Sequence, residues 1–324
     1  MHNLFKTHTR RKAFLTLLGA ATLSIAAAGK IIGIDADHFQ YLSFWEHLDK
    51  NNPFNLTRFE PGFVWAAWFA KHLTQIEYNT FIFFTTLISI SIKFRLLAKR
   101  NYYPILIIGY TTSLYLLHEM TQIRAAVSLG FGYLAIEYFR KRRITFSLAS
   151  MAIAASLHYS TLILCTSYLY SLIKSASPKS NRVALIATIA ISTSAAAVFV
   201  SSFNQLNPVL EGYFSNVQEQ QVSLLSARTL LLGFILGIAL LDLRNVQTPD
   251  HALLATSSTI FILFFVFKDT PVIAHRIIEI SMFSYFLWVP SMTGKRSKLA
   301  LAALLTLCLY EGYRMLIRDN IFSG

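Results

Sequence analysis

The chain has 324 residues, of which 54% are hydrophobic, and a net charge of +13 from 29 Lys and Arg against 16 Asp and Glu. So apolar a composition excludes a soluble domain of this length and defines a membrane protein. The cations fall in short clusters between apolar runs, the pattern of cytoplasmic loops, which argues against nucleic-acid binding.

Residues 13–34 follow His8, Arg10, Arg11 and Lys12 and form an Ala-rich apolar run. It is about as long as the roughly 20 residues a bilayer requires and reads as the first span. A signal cleaved near Ala26-Ala27-Ala28 is the other reading, and both leave the next segment outside. The pair Arg10-Arg11 is common in signal anchors and is weak as a twin-arginine export signal. Residues 35–76 carry Asp35, Asp37, Glu46, Asp49 and Glu60 and read as an external loop. Within it, Gly62 to Leu73 is apolar but too short to span, and Trp65 and Trp68 suit an interface; it is expected to be an interfacial or re-entrant helix.

Spans then follow at 78–97 (inward, ending near Lys93, Arg95, Lys99 and Arg100), 102–118, 123–139, 144–157 and 160–173. Further spans are expected at 183–202, 224–241, 252–267, 273–290 and 299–313, with an amide-rich external loop at 203–223. The fold class is all-α, a polytopic integral membrane helical bundle of about eleven transmembrane helices in one membrane domain, residues 1–324, with the amino terminus inside. The basic run Arg140-Lys141-Arg142-Arg143 belongs on the cytoplasmic side, which sends Gln122, Arg124 and His158 to the opposite face. The segments 144–157 and 160–173 are short for spans, which draws His158 toward membrane depth or seats these helices in protein rather than lipid. Cys165 and Cys308 lie in apolar runs without metal or redox spacing and read as packing residues.

Arg124, Arg228 and Arg276 each fall near the first turn of a helix entering from outside. The positive-inside bias and the positive end of the helix dipole both disfavour a cation there, so each calls for an anion. Pyrophosphate suits such a place; so does a neighbouring carboxylate, as Glu279 for Arg276 at i, i+3, or a lipid phosphate reached by snorkelling. His158 can donate to a phosphate, act as acid or base, or simply cap its helix. Glu60, Asp37 and Asp35 are candidate bases for a sugar hydroxyl. Asp35-Ala36-Asp37 has the D-x-D form of metal-dependent glycosyltransferases, a pattern that acidic loops also produce by chance, and no metal is assigned. No Walker loop, HExxH or GxSxG is present.

Three pieces together carry a family resemblance. Gln122-Ile123-Arg124-Ala125-Ala126 followed after a basic turn by Ala155-Ser156-Leu157-His158-Tyr159-Ser160 resembles the Q-x-R-x-x-[AS] and A-x-x-x-H-x-S runs of the EpsG family of Wzy-like polysaccharide polymerases. Asp37 with Tyr41 and Glu60-Pro61-Gly62-Phe63 resemble the pieces of that family's first external loop, with Asp35 competing for the aspartate's role; Arg276 through Tyr285-Phe286 resembles its late segment. The resemblance implies a metal-independent membrane glycosyltransferase, without cofactor, that polymerises polyprenyl-pyrophosphate-linked oligosaccharide repeat units at the outer face of a bacterial inner membrane. The glycan is of exopolysaccharide, capsule or O-antigen type. It implies His158, Glu60 and Asp37 in catalysis and Gln122, Arg124 and Arg276 in substrate binding; Arg228, by its place at a helix start, and Glu279, on one helical face with His275 and Arg276, extend the substrate-binding set. The partners are the lipid-linked oligosaccharides, the bilayer, and the chain-length regulator and flippase of the same pathway. A flippase for the same lipids, or another outer-face ligase or acyltransferase, remains an alternative, although a flippase needs polar groups along a whole path and these gather at one face.

Overall fold

The computed structural model describes residues 2–33, 35–54, 59–176, 180–203, 223–268 and 270–321. All regular elements among them are helical. The chain packs as two compact bodies, one of residues 1–99, 103–162 and 311–324, the other of residues 100–102 and 163–310.

The first body begins with α1 (His2–Ala28), which ends where Lys30 adopts a positive φ of 49°. The Tyr115 hydroxyl donates to the Leu23 carbonyl at 2.8 Å, so this helix is tied into the bundle. The stretch expected as an external loop is in fact largely helical. Asp35 caps α2 (Ala36–His47), its carboxylate accepting from the His38 N–H at 3.1 Å. An Asp just before an apolar-periodic run is a helix-start signal.

Where an interfacial or re-entrant helix was expected, α3 (Pro61–Trp68) forms, with Pro at its start, prolonged by a π turn at Phe69–Leu73. Its Phe63, Val64, Ala67 and Ala70 pack into a core with Tyr41, Trp45, Phe81, Val127 and Leu157, while Trp65 and Phe69 stay exposed. Lys71 fastens α3 to the end of α2 by donating to the carbonyls of Trp45, Glu46 and Leu48 at 2.6, 3.0 and 3.3 Å. These carbonyls lie at the helix terminus, where a cation also complements the dipole's negative end.

α4 (Tyr78–Leu97), α5 (Tyr103–Thr112, followed by a π turn at Tyr115–Glu119), α6 (Ile123–Arg140) and α7 (Ile144–Leu157) complete this body. Lys93, assigned from sequence to a cytoplasmic cluster, is instead fully buried. It pairs with Glu119 at 2.5 Å, and Ser89 donates to the same oxygen at 2.9 Å. A charge inside an apolar bundle must find a partner, and Glu119 stands one helix away.

The second body holds α8 (Thr166–Ala176), α9 (Asn181–Phe203), α10 (Ala227–Leu241), α11 (His251–Val266), α12 (Pro271–Trp288) and most of α13 (Lys295–Tyr313). α11 is buried nearly throughout and carries the small polar run Thr256-Ser257-Ser258-Thr259. Ser167 meets Thr256 at 2.7 Å, and the Trp288 indole donates to Ser257 at 3.0 Å, the kind of small-residue contact that joins helices in lipid. Arg100 closes on Asp250 through both carboxylate oxygens, at 3.1 and 3.0 Å.

Three helices among the described residues are long and apolar enough to cross a membrane: Tyr78–Leu97, Thr248–Val266 and Lys295–Arg318. Phe14–Ala28, Ile144–Leu157, Asn181–Ala196 and Ala227–Leu241 are apolar but shorter. The loop expected at 203–223 falls almost wholly outside the described residues.

Candidate functional site

Three elements of the first body bring Glu60, Arg124 and His158 together. Glu60 stands immediately before Pro61 at the start of α3, with extended backbone. Arg124 occupies the first turn of α6, behind Gln122, whose carbonyl accepts from the Ala126 N–H at 2.9 Å and whose side chain does not cap the helix. His158 follows the last residue of α7 in an extended conformation, φ −163° and ψ 112°, and a 3-10 segment at Tyr159–Cys165 leads on to α8. The shortness of the two apolar segments flanking His158 thus has a cause: the helical run is broken at the histidine itself.

The Glu60 carboxylate divides its oxygens. Oε2 accepts from Arg124 Nη1, and Oε1 stands 2.6 Å from His158 Nδ1. Burial works to raise the Glu60 pKa, but the His158 hydrogen bond and the Arg124 charge outweigh it, and the carboxyl is held below its usual range. Arg124 stacks over Phe59 with its guanidinium carbon 4.2 Å from the ring centroid, and lies 5.9 Å from that of Tyr41. Its Nε–H is buried and has no acceptor, leaving a donor for an incoming oxygen.

Ser128, one helical turn beyond Arg124, fixes the histidine's backbone. Its hydroxyl donates to the Ala154 carbonyl at 2.6 Å and lies 3.0 Å from Thr161 Oγ1, while Thr161 donates to the His158 carbonyl at 2.7 Å. Gly62 closes the other side: a Cβ there would come within 2.8 Å of the Ser156 backbone. Only glycine lets α3 lie this close to α7, and so brings Glu60 within reach of His158.

The rival aspartates separate. Both oxygens of Asp35 are engaged, Oδ1 by the His38 N–H and Oδ2 by Lys30 at 2.7 Å, and Lys30 also donates to the Met120 carbonyl at 2.6 Å. Asp35 is therefore the cap of α2 and the anchor of the segment leading to α6. Asp37 lies in the first turn of α2, one turn before Tyr41, whose ring flanks Arg124.

In the second body Arg228, in the first turn of α10, and Glu279 of α12 stand 3.7 Å apart, both largely buried. Arg228 is thus the partner of the carboxylate that the sequence offered to Arg276. Arg276 is half-buried and makes no hydrogen bond or ion pair among the described residues. Sequence reasoning missed Phe59, Ser128 and the Lys93–Glu119 pair. The first two were within reach, since Phe59 adjoins Glu60 and Ser128 shares a helix face with Arg124 at i, i+4. Among the described residues no cluster of His, Cys, Asp and Glu could hold a metal.

The class is that of an α-helical membrane protein whose charged cluster gathers at helix ends. A profile of the EpsG family matches residues 13–321, and the chain belongs to that family, a family of Wzy-like polymerases. No curated protein and no solved structure matches the chain.

Proposed function

We propose that the protein polymerises polyprenyl-pyrophosphate-linked oligosaccharide repeat units at the outer face of the bacterial inner membrane, in a bundle of about eleven spans. The observation that carries the reading is the convergence of Glu60, Arg124 and His158 from three separate elements. With Nδ1–H donated to Glu60, the His158 imidazole presents Nε2 as an acceptor. The acceptor sugar's hydroxyl oxygen attacks the anomeric carbon of the donor and its proton passes to Nε2. The glycosidic bond to pyrophosphate breaks, and the electron pair leaves on the polyprenyl pyrophosphate. Glu60 stays ionised and steadies the imidazolium, the role of an orienting carboxylate. Arg124 faces the departing oxygens with the N–H that Glu60 leaves free. Asp37 and Gln122, in the same body, are the further candidates for holding the substrate; Arg228, Arg276 and Glu279 of the second body are candidates on their sequence positions alone. Neither a metal nor a cofactor enters this scheme.

The test is reconstitution. Purified protein in liposomes, given lipid-linked single repeats, is expected to yield a ladder of longer glycans, and His158→Ala none. In the cell, deletion is expected to leave single-repeat glycan at the surface. Absence of all external glycan on deletion, with no ladder in vitro, would overturn the polymerase in favour of a flippase.

A further inference from the structure

The segment that leads into α6 is bonded continuously to the turn before it. The Met120 N–H donates to the Tyr115 carbonyl at 3.1 Å and the Gln122 N–H to that of Leu117 at 3.3 Å, where the Thr121 hydroxyl also donates. The Gln122 carbonyl then accepts from the Ala126 N–H at 2.9 Å and closes the first turn of α6, which carries Arg124. Residues 115–122 are thus the mount of Arg124. Glu60 and Phe59 reach the guanidinium from the start of α3, so they meet it only where the mount sets it.

Two neighbours hold the mount. On the side of α1, the Tyr115 hydroxyl donates to the Leu23 carbonyl at 2.8 Å, and Lys30 donates to the Met120 carbonyl at 2.6 Å while gripping Asp35 at 2.7 Å. On the side of α4 the hold is ionic: Glu119 Oε1 accepts from Lys93 at 2.5 Å and from Ser89 at 2.9 Å. Both charged side chains are 0% exposed. Burying two ions in an apolar bundle costs more free energy than burying two apolar side chains of their size, so the pair is a poor choice for adhesion alone. What it adds is direction, because a charged hydrogen bond fixes distance and angle where methylene groups slide.

We infer that Lys93 and Glu119 are positioning residues for the transfer reaction: they fix the 115–122 turn against α4 and, through it, the aim of Arg124 at the departing oxygens. The inference rests on the proposed function and adds to it two residues that touch no substrate. A displacement of about 1 Å at a reacting group can cost on the order of a hundredfold in rate, so a link five residues from Arg124 is close enough to matter.

The experiment uses the full-length protein in liposomes with lipid-linked single repeats. Lys93→Met/Glu119→Met leaves no unpaired charge and nearly keeps the volume, and is expected to melt at or above the wild-type temperature. Its kcat should nevertheless fall by on the order of tenfold or more, with KM within about threefold of wild type, since Arg124 meets charge that develops in the transition state. Added to Arg124→Lys, the same pair of substitutions should cost no more than about twofold further, because both changes act through one guanidinium. Wild-type kcat in the apolar variant, its failure to fold, or a loss that multiplies with that of Arg124→Lys overturns the inference. A wild-type protein that makes no polymer overturns the proposed function instead. Hydrogen exchange at the amides of 119–126 then decides whether the pair holds the turn: faster exchange in the apolar variant supports it, and unchanged exchange overturns it.

Discussion

The two ends of α6 carry similar charges in different settings. At its carboxyl end Glu137 accepts from Lys99 at 2.8 Å and Lys141 at 3.3 Å, with Arg140 at 3.6 Å. At its amino end Glu60 meets Arg124 and His158. Each place has one carboxylate facing two or three basic side chains, yet Lys99 and Lys141 are 39% and 52% exposed at their side chains. Such pairs are screened and contribute little. Around Glu60 the side chains of Glu60, Arg124 and His158 are 10%, 20% and 18% exposed, and Arg124 lies against the rings of Phe59 and Tyr41. Charge clustering does not distinguish a site from a solvated helix end; enclosure does.

Replacing members of the buried cluster should therefore cost activity, steeply and in a defined order. Arg124→Lys keeps the charge but loses the planar fork and the stacking on Phe59, and is expected to lower polymerisation by on the order of a hundredfold or more. Glycan ladders at equal protein level measure it, and near-normal chain length would reduce Arg124 to a structural cation. His158 comes next: Ala and Gln variants are both expected to be inactive at wild-type abundance, since neither can take the hydroxyl proton. Partial activity in the Gln variant alone would reassign His158 as a phosphate donor.

Glu60→Gln should cost less, on the order of tenfold, because it keeps the shape and an acceptor while losing the charge that favours the imidazolium. It also has a pH signature. The folded-state pKa of Glu60 lies below its ordinary 4.5, so its contribution to stability is full above that value and is lost as pH falls through the lower one. Melting temperature between pH 6 and 3 should fall more steeply in the wild type than in the Gln variant. Equal slopes would mean that the Arg124 and His158 contacts do not hold the carboxylate ionised.

At the far end of α6, Lys99→Ala and Lys141→Ala are expected to change stability by no more than ~0.5 kcal/mol and to leave polymer length unchanged. A large loss in either would erase the contrast between the two ends.

Much of this was legible in the chain. Period and basic punctuation placed α4, α6, α7 and α10 to α13 within a few residues, because an apolar helix bounded by cations leaves a strong local pattern. The kinship of Gln122–Ala126 and Ala155–Ser160 marked Arg124 and His158, and Glu60 was a candidate beside two aspartates. What could not be read was which carboxylate meets them. That choice depends on α3 crossing α7 at Gly62, and on Lys30 occupying Asp35, both contacts between residues distant in sequence. The Arg228–Glu279 pair was hidden for the same reason: i, i+3 spacing favoured Arg276, whereas packing supplied a partner from another helix.

The hydroxyl of Ser128 has a kinetic meaning. By holding the carbonyl of Ala154, and through Thr161 that of His158, it fixes the corner from which the imidazole projects. The entropy of ordering that corner is lost once, when the chain folds, and not again at every addition of a repeat unit. Under the proposed function, a base that stands ready in the empty site serves each addition alike, because every repeat unit joined meets the same nitrogen in the same place.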